Sequence, residues 1–262
     1  MRISSVILID IGNTSTHVSL ERAGRFLLTK RFPSNGQTVG IVGRLLRFYA
    51  SHTKIDGAIL CSVVPKLNPI WINELQKNSC GKVLQVSHKL NLGVKIDYPK
   101  PSAIGADRLA NAAAAAEKYG APVIVADFGT ALTFDIVSAA GAYVGGIIAP
   151  GPMLFAEYLA EKTALLPRLS LPTICKAMHA KGKRPVIGNN TSQAMLIGFR
   201  LGYLGMMKEI VLRLEQEQGL KNARLCATGG YAKMILAESG LKISIDPFLT
   251  LRGISRIYWL NR

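Results

Sequence analysis

Acidic residues are scarce in this chain: 16 Asp and Glu stand against 32 Lys and Arg in 262 residues, for a formal charge of +16. Cysteine is scarcer still. Cys61, Cys80, Cys175 and Cys226 lie far apart with no C-x-x-C pair, so neither a zinc cluster nor a disulfide framework can be read from them, and a reducing cytoplasm is the expected location. The four histidines lack metal-site spacing. No uncharged run is long enough to span a membrane, and the first apolar run follows a single Arg2 and meets Asp10 too soon for a signal peptide. The most apolar region, 121–159, is interrupted by Asp127, Asp135, Glu157 and three prolines, which suits a buried sheet. There is no Walker A loop and no G-x-S-x-G elbow, which excludes a P-loop kinase and an α/β-hydrolase nucleophile.

What is present is a large aliphatic complement. Hydrophobic residues make up 49% and aromatics 7%, enough for one large globular domain or two of about 130 residues each. The excess of positive charge raises the question of nucleic acid. The densest cluster, Lys176, Lys181, Lys183 and Arg184 around His179, lacks interleaved aromatics for base stacking. A solvated basic surface that attracts small anions is favoured over a nucleic-acid site.

The chain echoes itself. Val6 to Thr14 reads VILIDIGNT and Val123 to Thr130 reads VIVADFGT: a short apolar run, Asp, one spacer, then Gly and a hydroxyl or amide residue. Runs with no polar face predict strands buried on both sides. Each is followed by two further strand patterns, 16–20 and 26–30 in the first half, 132–137 and 142–148 in the second, with turns at Ala23-Gly24 and Ala140-Gly141. Helices are expected at 39–51, 67–78, 106–119, 154–159, 192–218 and 232–238, and strands at 58–63, 82–86, 224–227 and 243–245. The order is β-β-β-α-β-α-β, twice, with Tyr119-Gly120-Ala121-Pro122 as a helix stop near the boundary.

A strand ending in Asp-x-Gly that turns straight back surrounds a concave point with backbone N–H groups, which suits phosphate oxygens, while the neighbouring carboxylate suits a hydrated Mg²⁺. A plain tight hairpin explains one such turn equally well; two related copies favour phosphate, held between the halves. Ala227-Thr228-Gly229-Gly230 follows a strand and precedes a helix, where Gly lets a ligand approach the backbone. Gly105-Ala106-Asp107-Arg108 opens an Ala-rich helix. Asp107 there is either a cap or a general base on a hydroxyl, with Arg108 as a fork for an anion. Gly145-Gly146 and Pro150-Gly151-Pro152 are loop punctuation or a close backbone approach to ligand, and Thr191 is either a helix cap or a contact. Gly198, Gly202 and Gly205 allow close helix packing, with a dimer seam as one use.

These residues carry a resemblance. DIGNTST from Asp10, SVVP from Ser62, GADR from Gly105, DFGTALTFD from Asp127, YVGGIIAPG from Tyr143, TALLP from Thr163, NTSQAMLIG from Asn190, ATGG from Ala227 and DPFLTLRG from Asp246 occur in the order found in type III pantothenate kinases. That family belongs to the actin, sugar-kinase and heat-shock ATPase superfamily. The resemblance implies an α/β fold of two duplicated ribonuclease H-like (actin-like ATPase) domains, 1–118 and 119–262, each a mixed five-stranded sheet with flanking helices. It implies ATP-dependent phosphorylation of pantothenate, the first step of coenzyme A synthesis, in a cytoplasmic homodimer.

By the same resemblance Asp10, Ile11, Gly12, Asn13, Thr14, Ser15, Thr16 and His17 line the ATP phosphates, with Asp10 near Mg²⁺. Gly129, Thr130, Thr228, Gly229 and Gly230 also serve ATP, and Asp127 helps bind a monovalent cation, K⁺ or NH₄⁺. Asp107 accepts the proton. Gly105, Ala106, Arg108 and Tyr98 hold pantothenate, and Thr191 reaches it across the homodimer interface. Two departures stand out: Asn189 occupies a position where the family commonly has Lys, and the segment 26–44 is unlike the usual pattern. A regulatory protein on the same scaffold, using the basic surface, is the alternative reading.

Overall fold

The structure, a computed structural model, describes residues 4–78, 81–180, 182 and 184–262. Arg2, Cys80, Lys181 and Lys183, named above, lie outside the described residues. The chain divides into two compact units. One comprises Met1–Gly120, Gly141–Gly145 and Phe248–Arg262; the other comprises Ala121–Ala140 and Gly146–Pro247.

In the first unit the chain runs β1 (Ser5–Ile11), β2 (Ser15–Arg22), β3 (Arg25–Pro33), α1 (Val39–His52), β4 (Gly57–Ser62), α2 (Asn68–Lys77), β5 (Lys82–Gln85), β6 (Lys95–Ile96) and α3 (Ala106–Tyr119). The sheet order is β3-β2-β1-β4-β5, with β1 antiparallel to β2 and parallel to β4. β1 is central and its side chains alternate. Ile7, Ile9 and Ile11 pack into the core that holds Leu46 and Tyr49 of α1 and Trp71 of α2; Val6 and Leu8 face the core that holds Leu109, Ala110 and Ala113 of α3. Both faces are therefore covered, as the unbroken apolar run requires. The alternation also fixes which way Asp10 points: two residues beyond Leu8, it lies on the α3 side.

The second unit runs β7 (Val123–Phe128), β8 (Ala131–Val137), β9 (Ala142–Pro150), α4 (Pro152–Lys162), α5 (Leu171–Met178), α6 (Thr191–Gln216), β10 (Arg224–Thr228), α7 (Ala232–Ser239) and β11 (Ser244–Ile245), the first residues of β9 belonging to the first unit. Its strands follow the order β9-β8-β7-β10-β11, the same plan as β3-β2-β1-β4-β5. The second sheet has six strands, not the expected five, because β6 pairs in parallel with Ala142 and Tyr143 at the start of β9.

Two helices depart from the simple repeat of elements. α5 stands between α4 and α6, capped by Ser170, whose Oγ accepts from the Thr173 N–H. The other, α8 (Leu249–Asn261), follows β11 in sequence but belongs to the first unit, where Leu251, Ile254, Ile257 and Tyr258 join the core beneath β1 and β4. α8 crosses α3 at Gly253, where any side chain would run into the Ala110 carbonyl. Among the described residues, no helix is long and apolar enough to cross a membrane.

Candidate active site

The carboxyl ends of β1 and β4 assemble the first site. Asp10 on β1 is in register with His17 on β2 and Cys61 on β4, and His17 with Arg31 on β3, so the four positions form one row across the sheet. The turn between β1 and β2 is closed by the Gly12 N–H donating to Ser15 O at 3.0 Å, with Asn13 and Thr14 exposed at its tip. Arg31 reaches the turn from the edge strand, its Nε donating to Ser15 Oγ at 3.2 Å. Ile11 is buried in the core, and the Thr16 side chain is buried and bonded within the protein. Of the segment 10–17, then, the exposed tip and the Asp10 end are open to a ligand. The Nε2 atom of His17 is buried without a partner, and burial followed by the Arg31 charge lowers the pKa of this imidazole.

Asp107 arrives at the same row from α3. Gly105, not Asp107, is the N-cap of that helix, so the carboxylate is not consumed in capping. It lies in the first turn, where Oδ1 accepts the Arg108 N–H at 2.8 Å. Burial raises the pKa of Asp107 above the ordinary carboxylate value; the Arg108 N–H and guanidinium oppose that rise without cancelling it. Cys61 ties the two acids together. Its thiol is pushed well above its usual range by burial first, then by the carboxylates of Asp10 and Asp107. Two acidic groups thus converge at one strand end, and one of them is a strengthened base.

Beside α3, Arg108 lies over the Tyr143 ring, its Cζ 5.8 Å from the centroid, and Tyr98 meets that ring edge-on with centroids 6.2 Å apart. Tyr98 is exposed and Tyr143 fully buried. A Cβ on Gly145 would touch the Tyr98 ring at 3.4 Å, and its φ of +128° is open only to glycine. Tyr143 was not foreseen as a site residue. A buried tyrosine within a strand reads as core until the ring is seen beneath Arg108.

The second unit builds its turn differently. Gly129 and Thr130 form a two-residue loop between β7 and β8, with the Gly129 N–H donating to Ala131 O at 3.0 Å. β10 runs in parallel beside β7 and places Thr228 opposite Asp127. The Thr228-Gly229-Gly230 segment lies directly against the Asp127 strand: a Cβ on Gly229 would fall 2.5 Å from Phe128 C and 2.6 Å from Asp127 Oδ1, at a φ of +92°. Gly151 meets the Gly129 and Thr130 carbonyls just as closely. Gly229→Ala combines backbone strain with this clash, so it is expected to cost about 2 kcal/mol and to raise the KM for ATP. Urea unfolding together with initial-rate kinetics measures both; a variant as stable as the parent would remove the packing argument.

Thr191 belongs to the second unit. It is the first residue of α6, the cap being Asn190, whose Oδ1 accepts from the Gln193 N–H at 2.9 Å. Thr191 lines an apolar cavity of about 430 Å³ with Phe155, Leu166, Met195 and Phe199. Among the described residues no group of three His, Cys, Asp or Glu could hold a metal.

Solved structures share this plan at low sequence identity. A ROK family glucokinase from Streptomyces griseus, in complex with glucose and AMPPNP, superposes with a TM-score of 0.55 at 12% identity, covering 99% of each chain. The fold is that of the ROK sugar kinases, an α/β architecture of two mixed sheets with flanking helices. Residues 6–213 match the family profile of type III pantothenate kinase. A type III pantothenate kinase from Akkermansia muciniphila is 40% identical over 256 residues, covering 97% of this chain and 98% of its own length. Another, from Methylacidiphilum infernorum, is 38% identical over 253 residues, covering 96% and 87%. The chain belongs to the type III pantothenate kinase family.

Proposed function

We propose that the chain transfers the γ-phosphoryl group of ATP to the primary hydroxyl of pantothenate, the first step of coenzyme A synthesis. Family membership over nearly the whole chain supports the reaction. The observation that carries the division of labour is that Asp10 and Asp107 both act on Cys61, with burial raising the Asp107 carboxylate above its ordinary value.

In this reading the pantothenate hydroxyl oxygen forms a bond to the γ-phosphorus as the bond to the ADP oxygen breaks, and the hydroxyl proton passes to Asp107. Phosphoryl transfer asks the protein for position and charge compensation more than for covalent chemistry. Asp10 would hold a divalent cation, which supplies positive charge against the phosphates. Segment 10–17 presents the phosphates to the acceptor. Gly129, Thr130 and Thr228 to Gly230 hold the nucleotide, and a monovalent cation, K⁺ or NH₄⁺, sits by Asp127. Gly105, Ala106, Arg108 and Tyr98 hold pantothenate, with Arg108 directed at its carboxylate. Thr191 contributes from the other subunit of a homodimer. The matching strand orders support reading the two sheets as duplicated ribonuclease H-like halves. The proposed domains are 1–118 and 119–262, and the proposed enzyme is cytoplasmic and without a nucleic-acid partner.

ADP release by the purified protein with ATP and Mg²⁺, measured with and without pantothenate, tests the reading. Pantothenate-dependent turnover that rises with added K⁺ is the expected result. Absence of turnover, together with DNA binding that weakens steeply with salt, would replace it with the regulatory reading.

A further inference from the structure

The segment after β3 leads to a second feature of the phosphate turn. Behind the turn runs an unbroken chain of buried hydrogen bonds. Trp71 Nε1 on α2 donates to Gln37 Oε1 at 2.9 Å. Gln37 Nε2 donates to Thr16 Oγ1 at 2.7 Å and to Pro33 O at 3.0 Å. Thr16 Oγ1 and Ser34 Oγ are 2.9 Å apart, and Ser34 Oγ donates to Gly12 O at 2.6 Å. The Ser34 N–H also donates to Thr14 O at 3.1 Å.

Counting protons gives the chain a direction. An indole N–H can only donate, so Trp71 fixes the orientation of the Gln37 amide. The Thr16 oxygen receives the amide N–H and keeps its own proton to donate. Ser34 spends its single proton on the Gly12 carbonyl, so between Thr16 and Ser34 the donor is Thr16. Trp71, Thr16, Ser34 and Gln37 are all buried, and each link satisfies its neighbour, the condition under which a buried polar network rigidifies a structure. The chain ends on the glycine at the base of the exposed Asn13-Thr14 tip.

We infer that Ser34 and Gln37 are positioning residues for ATP: they hold the Gly12–Thr14 turn in its phosphate-binding shape and couple it to Trp71. The inference rests on the kinase reading of that turn. Neither residue touches substrate. Ser34→Ala removes the last donor and leaves the Gly12 carbonyl without one. Gln37→Glu acts by direction instead. A carboxylate accepts from Trp71 but has no N–H to give Thr16, so the Thr16 proton turns toward residue 37 and the chain no longer runs to Gly12.

The experiment uses the full chain carrying Trp259→Phe, which leaves Trp71 as the sole tryptophan. ATP titration should shift Trp71 emission in this protein, and the shift should disappear in Ser34→Ala and Gln37→Glu. Both variants should raise the KM for ATP about ten-fold, with the KM for pantothenate unchanged and Ser34→Thr restoring the parental values. Unchanged ATP kinetics, an equal rise in both KM values, or a Trp71 signal indifferent to ATP in a protein that turns over would overturn the inference. If the Trp259→Phe protein fails to phosphorylate pantothenate, the unmodified chain is assayed alongside; its inactivity would count against the kinase reading itself and take this inference with it.

Discussion

Asp107→Asn is expected to lower kcat about a thousand-fold and to leave the protein at least as stable as the parent. The two effects share one cause. Burial at the first turn of α3 raises the Asp107 pKa, which makes the group a better proton acceptor and also makes its charged form costly to hold in the folded state. The sign follows from linkage. Below pH 3.8, the ordinary value, the group is protonated both folded and unfolded and contributes nothing. As pH rises through the window between 3.8 and the raised folded value, the unfolded chain releases its proton first, so folding becomes less favourable by an amount that persists above the window. Asparagine carries no such cost. The melting temperature of the variant should therefore match the parent at low pH and meet or exceed it at pH 8, while the parent's kcat/KM climbs with pH on a limb displaced above the usual aspartate range. A variant retaining a tenth of parental turnover would remove Asp107 from the proton transfer. A lower melting temperature at pH 8 would contradict the burial argument.

That conflict between catalysis and stability was legible only in part from sequence. The strands β1 and β7 were plain, because four or more consecutive aliphatic residues have no exposed face to offer. Asp10 and Asp127, which the sequence places at the ends of these runs, each lie one residue inside the strand and pair with the neighbouring strand. Whether Asp107 capped its helix could not be decided from Gly-Ala-Asp-Arg; the backbone gives that place to Gly105. The buried chain from Trp71 to Gly12 was hidden for a different reason. Its members come from a strand, a loop and a helix, and hydrogen bonds between buried side chains leave no period in the sequence. Tyr143 was hidden because β-strand alternation predicts its burial but not the guanidinium above it.

α8 was passed over as well, and the cause makes a test. Leu249–Asn261 carries apolar residues at helical spacing, but Gly253, with Arg252 before it and Arg256 after it, reads as a break in the pattern. In the fold Gly253 is the contact itself. A Cβ there would drive into the Ala110 carbonyl of α3 and lie 2.5 Å from its carbonyl carbon, and backbone inside a helix cannot swing aside as a side chain can. Gly253→Val is therefore expected to destabilise the protein by about 3 kcal/mol, at the upper end for overpacking, read as a lowered urea midpoint. Gly40 in α1 is the control. A Cβ there meets only Arg44 Nη1 at 3.8 Å, so Gly40→Ala should be neutral or gain up to about 1 kcal/mol. Activity should fall further than stability under conditions where Gly253→Val stays folded. α3 carries Asp107 three residues before Ala110, and a helix pushed off its neighbour carries its first turn with it. kcat should drop more than the KM for ATP rises: α8 packs beneath β1 through Val6 and Leu8, but the phosphate turn at the end of that strand is also held to α2 through Gln37 and Trp71. Parental stability in Gly253→Val would mean that α8 does not set the depth at which α3 lies.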